Sequence, residues 1–344
     1  MSIDARADRV TLAAVAAEAR VSISTVSKVL NGRADVSEAT RERVEGLLGR
    51  HGYRRRTSPS SAAPLIELVF HELDTIWAME LIRGVEDVAR EASASVVLTE
   101  SGTRHAPGPE WLEGVLQRRP LGVVLVFSSL PAGVKDQLRS RAIPFAVVDP
   151  AGDPDPDVPS VGSANWSGGL AATRHLLELG HRRIAMITGP EDMMCSLARL
   201  DGYRSAMSNA GHGVDPTLVR FGDFHVQGGH DIATELLALP ADRRPTAIFA
   251  GSDLQALGVL EAARRQGLRV PEDLSVVGYD DVAVARWSSP ALTTVHQPLR
   301  NMAQEAARLV LRAREGASVS TRMDLATSLV VRNSTARLVD PAEG

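Results

Sequence analysis

Between Ser22 and Lys28 the chain sets out Ser22, Ile23, Ser24, Thr25, Ser27 and Lys28: short hydroxyls, one apolar group and one ammonium, interrupted only by Val26. Hydroxyls and compact apolar groups on one surface suit the edges of base pairs in a major groove, and a lysine suits a phosphate. That chemistry needs a helix to present it. On the inward side of the same segment Val26, Val29 and Leu30 recur at helical spacing, with Ser22 as the cap. Just upstream, Thr11 caps a first helix with Leu12, Val15, Ala16 and Ala19 on its apolar side, and Val21 packs beneath the turn. Two short helices joined this way predict a DNA-reading helix-turn-helix. Ile23 and Ser24 open the second helix, where side chains reach base edges. Ser22, Thr25, Ser27 and Asn31 are placed for phosphates, and Thr11 and Lys28 join them as DNA-contact candidates. Val36-Ser37-Glu38-Ala39-Thr40 starts a third helix whose Val44, Leu47 and Leu48 complete a small all-α core.

Charge is distributed to match. The whole chain of 344 residues has 38 Lys+Arg against 42 Asp+Glu, yet residues 1–63 hold 11 against 7, so a basic first segment precedes an acidic remainder. Segregated positive charge is what phosphate neutralisation requires. Arg54, Arg55 and Arg56 cluster after the third helix, where they are expected on phosphates or in the minor groove. A chain of this length should form two or three domains. Residues 57–64, Thr-Ser-Pro-Ser-Ser-Ala-Ala-Pro, lack core-building side chains and mark a hinge or linker.

Beyond the hinge, apolar runs alternate with amphipathic segments. Leu65–Phe70 reads as a buried strand, Met79–Ala92 as a helix burying Leu81, Ile82, Val85, Val88 and Ala89, and Ser95–Leu98 as the next strand. Further strands are expected at 122–127, 145–148, 184–188, 247–250 and 275–277. This alternation predicts doubly wound parallel sheets with ligands beyond the carboxyl ends of their strands.

Several phrases closely resemble the lactose-repressor (LacI/GalR) family. In the headpiece these are Thr11, Val21 through Gly32, Val36-Ser37, Thr40 through Val44, and Gly52-Tyr53. In the remainder they are Gly180-His181-Arg182-Arg183-Ile184, Gly189-Pro190, Arg199-Leu200-Asp201-Gly202-Tyr203, Ser252-Asp253, Ala256-Leu257-Gly258, Val276 through Asp281, and Leu292-Thr293-Thr294-Val295. The resemblance implies a small all-α helix-turn-helix domain (1–56), a hinge (57–64) and a two-lobed, periplasmic-binding-protein-like α/β core (65–344). Because the family's chain crosses between lobes three times, lobe 1 is expected at about 65–161 plus 294–326, and lobe 2 at about 162–291 plus 327–340. In relatives a hinge leucine wedges into the minor groove; here Pro59 intervenes, no leucine lies between Tyr53 and Leu65, and Ala62 takes the wedge position. Weaker operator bending is the expectation.

An effector is expected between the lobes. Sugars are held by planar charged or amide groups and by aromatic rings. Arg199 and Asp280 match the family positions used for hydroxyl recognition, Phe224 matches its aromatic wall, and Ser252 replaces a common asparagine. Trp77, just ahead of the first core helix, and Asn165-Trp166, at a loop-to-helix start, occupy strand-end positions facing the cleft; Asp74 and Ser128 complete the candidate set. Asp253 and Asp281 are expected to cap or brace instead, and His71 and His181 to serve structure.

The chain carries no Gly-x-Ser-x-Gly elbow, Walker loop or His-Glu-x-x-His motif, so no catalysis, cofactor or metal is expected. Cys195 is the one cysteine, which rules out an internal disulfide. Acidic Asp4 and Asp8 stand where a secretory signal would be basic, and no apolar stretch approaches about 20 residues, so a cytoplasmic protein without a membrane partner is expected. Together these readings predict a homodimeric repressor of carbohydrate-use genes, released from a palindromic double-stranded operator by a mono- or oligosaccharide. Resemblance to regulators of plant-cell-wall sugar use implies a xylose- or glucose-based oligosaccharide. Control by a protein partner or corepressor is the second reading, and a transport-type sugar-binding protein the third.

Overall fold

The computed structural model describes residues 12–30, 36–50, 64–73, 76–102, 106–127, 129–153, 155–319 and 321–338. The chain divides into a small unit, Met1–Ala62, and a large one, Ala63–Gly344.

The described residues of the small unit form three helices, α1 (Leu12–Ala19), α2 (Ile23–Leu30) and α3 (Glu38–Arg50). Ser22 Oγ accepts the Thr25 N–H at 3.0 Å, so one of the orphan donors at the start of α2 is satisfied by the predicted cap. Arg20 turns the chain out of α1 with φ 54°, and the Val21 N–H returns to the Ala16 carbonyl. Val15, Ala16, Ala19, Val26, Val29, Val44, Leu47 and Leu48 form the core, with Leu12, Val21 and Val36 packed against it. Thr11, Asn31, Arg54, Arg55, Arg56, Pro59, Ala62 and the Leu30 side chain lie outside the described residues.

The large unit begins with β1 (Leu65–Phe70), α4 (Ile76–Glu91), β2 (Ser95–Glu100), α5 (Pro109–Arg118), β3 (Gly122–Val126), α6 (Ala132–Ser140), β4 (Phe145–Val148) and β5 (Ser160–Ser163). It continues through α7 (Asn165–Glu178), β6 (Ile184–Thr188), α8 (Met194–Asn209), β7 (Val219–Phe221), α9 (Val226–Leu237), β8 (Ala247–Ala250), α10 (Asp253–Arg265), β9 (Ser275–Asp280), α11 (Val284–Trp287) and β10 (Thr293–His296). It closes with α12 (Leu299–Arg314), β11 (Arg322–Leu325) and β12 (Ser328–Val330). Two six-stranded sheets result, ordered β11-β5-β4-β3-β1-β2 and β12-β10-β9-β8-β6-β7. The first is parallel throughout; in the second, β12 runs antiparallel to β10. Helices cover the sheets, so β3, β4, β6 and β8 are buried along their full length and read as unbroken apolar runs.

The lobe boundaries differ from expectation at two crossings. β5 remains in the first sheet through Ser163, paired with Leu325, and β10 belongs to the second sheet, with Thr294 opposite Gly278. Thr294–His296 thus sits in lobe 2, and Gly162–Ser163 in lobe 1. The β-branched run Thr293-Thr294-Val295 is fully buried and completes its ladder before the chain crosses. Trp77 also shifts: α4 starts at Ile76, so this indole stands in the first turn and not ahead of the helix.

One buried charge in β1 has a full set of partners. Glu67, between Ile66 and Leu68, accepts from Arg118 Nη2 (2.8 Å), Trp111 Nε1 (3.0 Å) and Thr99 Oγ1 (3.0 Å). A carboxylate in a sheet interior persists only when paired and hydrogen-bonded in this way.

Candidate functional site

Each sheet reverses strand order once, between β1 and β3 in lobe 1 and between β6 and β8 in lobe 2. The carboxyl ends of those strands point at a shared cavity of about 380 Å³, where open α/β sheets place ligands. Lobe 1 supplies Phe70-His71-Glu72 beyond β1, Trp77 from α4 and Phe127 beyond β3; lobe 2 supplies Pro190, Arg199, Asp223-Phe224-His225, Ser252 and Asp280. Trp77 and Phe127 stack at 4.7 Å between centroids, forming one flat apolar wall. Phe224 is the facing ring, held at φ 68°. It crosses so close to Gly189 that a Cβ there would meet the ring at 2.0 Å, which is why Gly-Pro follows β6.

Arg199 is buried on α8 and already committed. Its Nε donates to Asn165 Oδ1 (2.8 Å), Nη1 to the Gly251 carbonyl (2.6 Å) and Nη2 to Gln297 Oε1 (2.9 Å). The guanidinium lies 3.7 Å from the Tyr279 centroid and 5.5 Å from that of Phe224. Three of its five N–H groups are engaged, which fixes the plane and leaves one on each terminal nitrogen for a ligand. Gln297 in turn donates from Nε2 to Asp149 Oδ2 at 2.9 Å. Two glycines permit this reach: a Cβ on Gly169 would meet the Arg199 carbonyl, and one on Gly202 the Trp166 carbonyl, each at 2.2 Å. Hence α7 and α8 press backbone to backbone, and Asn165 meets Arg199.

Asp280, the last residue of β9, lines the cavity, its carboxylate buried in the field of the Arg199 guanidinium. Burial raises its pKa to about 7, against the pull of Arg199. Burial likewise lifts Asp149 to about 6, with Arg199 and Gln297 opposing. The adjacent Asp281 turns away, pairing with Arg332 and with His296 Nδ1 at 3.2 Å. Asp253 accepts the Val282 N–H (2.8 Å) and the Thr294 hydroxyl (2.5 Å), bracing the ends of β9 and β10, as expected for a structural carboxylate. His181, buried between Thr246, Ser275 and the Ala336 carbonyl, is also structural.

Thus Trp77, Arg199, Phe224, Ser252 and Asp280 meet in one cavity, with Asn165 behind Arg199. Ser252 doubles as a helix cap, its hydroxyl accepting the Gln255 N–H and donating to the Phe224 carbonyl. Trp166 is not in this cavity: it lines a separate one of about 180 Å³ with Asn165. Asn165 opens α7 with its amide toward Arg199, and the next residue along a helix turns to a different side. Asp74 and Ser128 lie outside the described residues. The candidate set omitted His71, Glu72, Phe127, His225 and Gln297; all but the last two directly follow a strand end, so the carboxyl-end rule applied to β1 and β3 would have found them. In the small unit, Ser22, Ile23, Ser24 and Lys28 are exposed, Ile23 at 54%. Among the described residues no group of three His, Cys, Asp or Glu is placed to hold a metal, and no helix is long and apolar enough to cross a membrane.

Residues 11–56 match the family described as bacterial regulatory proteins, lacI family, and residues 173–335 match the periplasmic binding protein-like domain. The HTH-type transcriptional regulator CelR of Thermobifida fusca is 39% identical, over 96% of this chain and 99% of its own. The chain belongs to the LacI family. Like its LacI-family relatives, it is a helix-turn-helix, DNA-binding transcriptional regulator. Solved LacI-family structures agree in fold. A transcriptional regulator CelR–cellobiose complex is 36% identical with a TM-score of 0.70, covering 95% of this chain and all of that one. The lac repressor dimer bound to operator and the anti-inducer ONPF is 28% identical with a TM-score of 0.68, covering 96% of this chain and all of that one.

Proposed function

We propose that this regulator is a homodimeric, non-catalytic cytoplasmic repressor of carbohydrate-use genes, released from a palindromic operator when a sugar occupies the main cavity between its lobes. The observation that carries the reading is the buried Asp280 carboxylate, which lines an aromatic-walled cavity beside the Arg199 guanidinium. A sugar hydroxyl donates to such a group, the two remaining Arg199 N–H groups donate to sugar oxygens, and Trp77, Phe127 and Phe224 cover the apolar ring faces. The site also suits the ligand named for the CelR complex, so cellobiose is the first effector to test. Ile23 and Ser24 read bases, while Ser22, Thr25, Ser27, Lys28 and the flanking Thr11, Asn31, Arg54 and Arg55 hold phosphates.

A thermal-shift panel of cellobiose, xylobiose, glucose and xylose tests this. A ligand bound only by the folded state adds about 2.7 kcal/mol at 100 times its Kd, so the effector raises Tm. At a fixed sugar concentration the rise should shrink in Asp280→Ala. A panel without any shift, on protein that still binds DNA, would favour control by a protein partner.

A further inference from the structure

Asn165 and Trp166 do not serve the main cavity together, and the space that Trp166 lines has features of its own. The second cavity, about 180 Å³, lies between the lobes on the other side of the Arg199–Asn165 contact. Its lobe 1 wall holds Asp149, Ser163, Arg322 and Asp324, and its lobe 2 wall holds Asn165 and Trp166. Ser163 is 6% exposed, and its hydroxyl oxygen is buried with no hydrogen-bond partner among the described residues. Asp149 is 3% exposed and accepts from Gln297. Trp166, by contrast, keeps 45% of its surface exposed on a helix whose neighbours bury their apolar groups. A buried hydroxyl without a partner is unfavourable, and an aromatic face beside it stacks well on the apolar side of a pyranose ring.

We propose that this second cavity is a binding site for a single neutral sugar ring, distinct from the main cavity, with Trp166 as stacking platform and Ser163 and Asp149 as hydroxyl partners. Its size, under half that of the main cavity, limits the occupant to about one ring. Asp149 and Arg322 both lie in its wall with Asp324, so a hydroxyl finds donors and acceptors together. The two sites share a partition. Arg199 lines the main cavity and donates to Asn165, which lines the second; Gln297 accepts from Arg199 and donates to Asp149. Occupants of the two cavities are therefore coupled through one hydrogen-bonded chain, and each would touch both lobes.

Isothermal titration of the full-length Asp280→Ala protein with glucose, and separately with xylose, separates the second cavity from the main one, whose affinity falls roughly 10- to 150-fold in this variant. The expected result is a residual event of one sugar per chain. Trp166→Ala should weaken it by about tenfold, and Ser163→Ala by a smaller factor, with unaltered melting curves. In otherwise natural protein, Trp166→Ala should leave the Asp280-dependent event in place. Absence of a residual event in Asp280→Ala protein, or one that neither Trp166→Ala nor Ser163→Ala weakens, overturns the proposal. The Asp280-dependent event reports on the main cavity alone, so failure of the two readings is distinguishable.

Discussion

Asp280 is buried, and among the described residues it is Arg199 whose charge offsets the loss of hydration. Its carboxyl is pushed from 3.8 to about 7 by burial, so the folded chain keeps a proton that the unfolded chain releases between those values. The sign follows: stability from this group is fully present below about pH 4 and is lost as pH rises through about 7. Asp280→Asn is neutral throughout and escapes that loss. Urea unfolding of parent and variant should show the variant gaining on the parent from pH 5 to pH 7; a difference that stays constant would count against this account. At the DNA-reading end, Ile23 is exposed at the start of α2 with Ser22 and Ser24, whose hydroxyls are 2.6 Å apart. Replacing Ile23 should change the preferred half-site, whereas Lys28→Ala should weaken binding to all sequences and flatten its salt dependence. Selection of bound oligonucleotides by an Ile23→Ala protein that returned the parental consensus would contradict the first part. Arg199, Phe224 and Asp280 were legible because each sits in a distinctive local phrase. Asp149 and Gln297 were not, because what makes them part of the site is contact across long sequence separations. Gln297 lies 98 residues from Arg199 and 148 from Asp149.

At the level of elements, the long strands β1, β3, β6 and β8 announce themselves as apolar runs, because sheets covered on both faces demand them. β5 (Ser-Val-Gly-Ser), β11 and β12 carry no such run, and their pairing is decided by tertiary context, so the lobe crossings there are poorly legible. Backbone proximity is equally silent until two elements are seen together. Gly202 belongs to the phrase Arg-Leu-Asp-Gly-Tyr, yet its reason is α7: an added methyl would lie 2.2 Å from the Trp166 carbonyl. Gly202→Ala should force the helices apart, cost about 1–3 kcal/mol and weaken effector binding by moving Arg199. Gly133, in α6, meets nothing within 4 Å. Gly133→Ala should therefore stabilise by about 0.5–1 kcal/mol. Thermal melts of the two variants separate the effects by sign, and a Gly202→Ala protein as stable as the parent would refute the close-packing argument.

For the whole molecule, regulation requires that occupancy of a cavity in the large unit alter the hold of the small unit on DNA. A ligand can shift that balance only by its differential affinity for the two arrangements of the lobes. The lobes touch on both sides of the main cavity: Glu72 Oε1 lies 3.2 Å from His225 Nε2 at the mouth, and the Met194 N–H meets the Ala151 carbonyl at 2.9 Å. A sugar held between Trp77 on one lobe and Asp280 on the other adds contacts that exist at one lobe angle and not at another. Removing the Asp280 carboxylate deletes a charge-assisted hydrogen bond from that set, at a cost of about 1.5–3 kcal/mol, or roughly 10- to 150-fold in effector affinity. The three helices of the small unit have their own core and do not depend on this carboxylate, so operator binding without sugar should be unchanged. The Asp280→Ala protein should therefore stay on its operator at effector concentrations that release the parent, with the release midpoint displaced upward by the same factor as the loss of effector affinity. Fluorescence anisotropy of a labelled operator, titrated with sugar at fixed protein, measures both curves. Release at the parental concentration would place the controlling ligand outside the main cavity, because a carboxylate that recognises the effector cannot be removed without moving that midpoint.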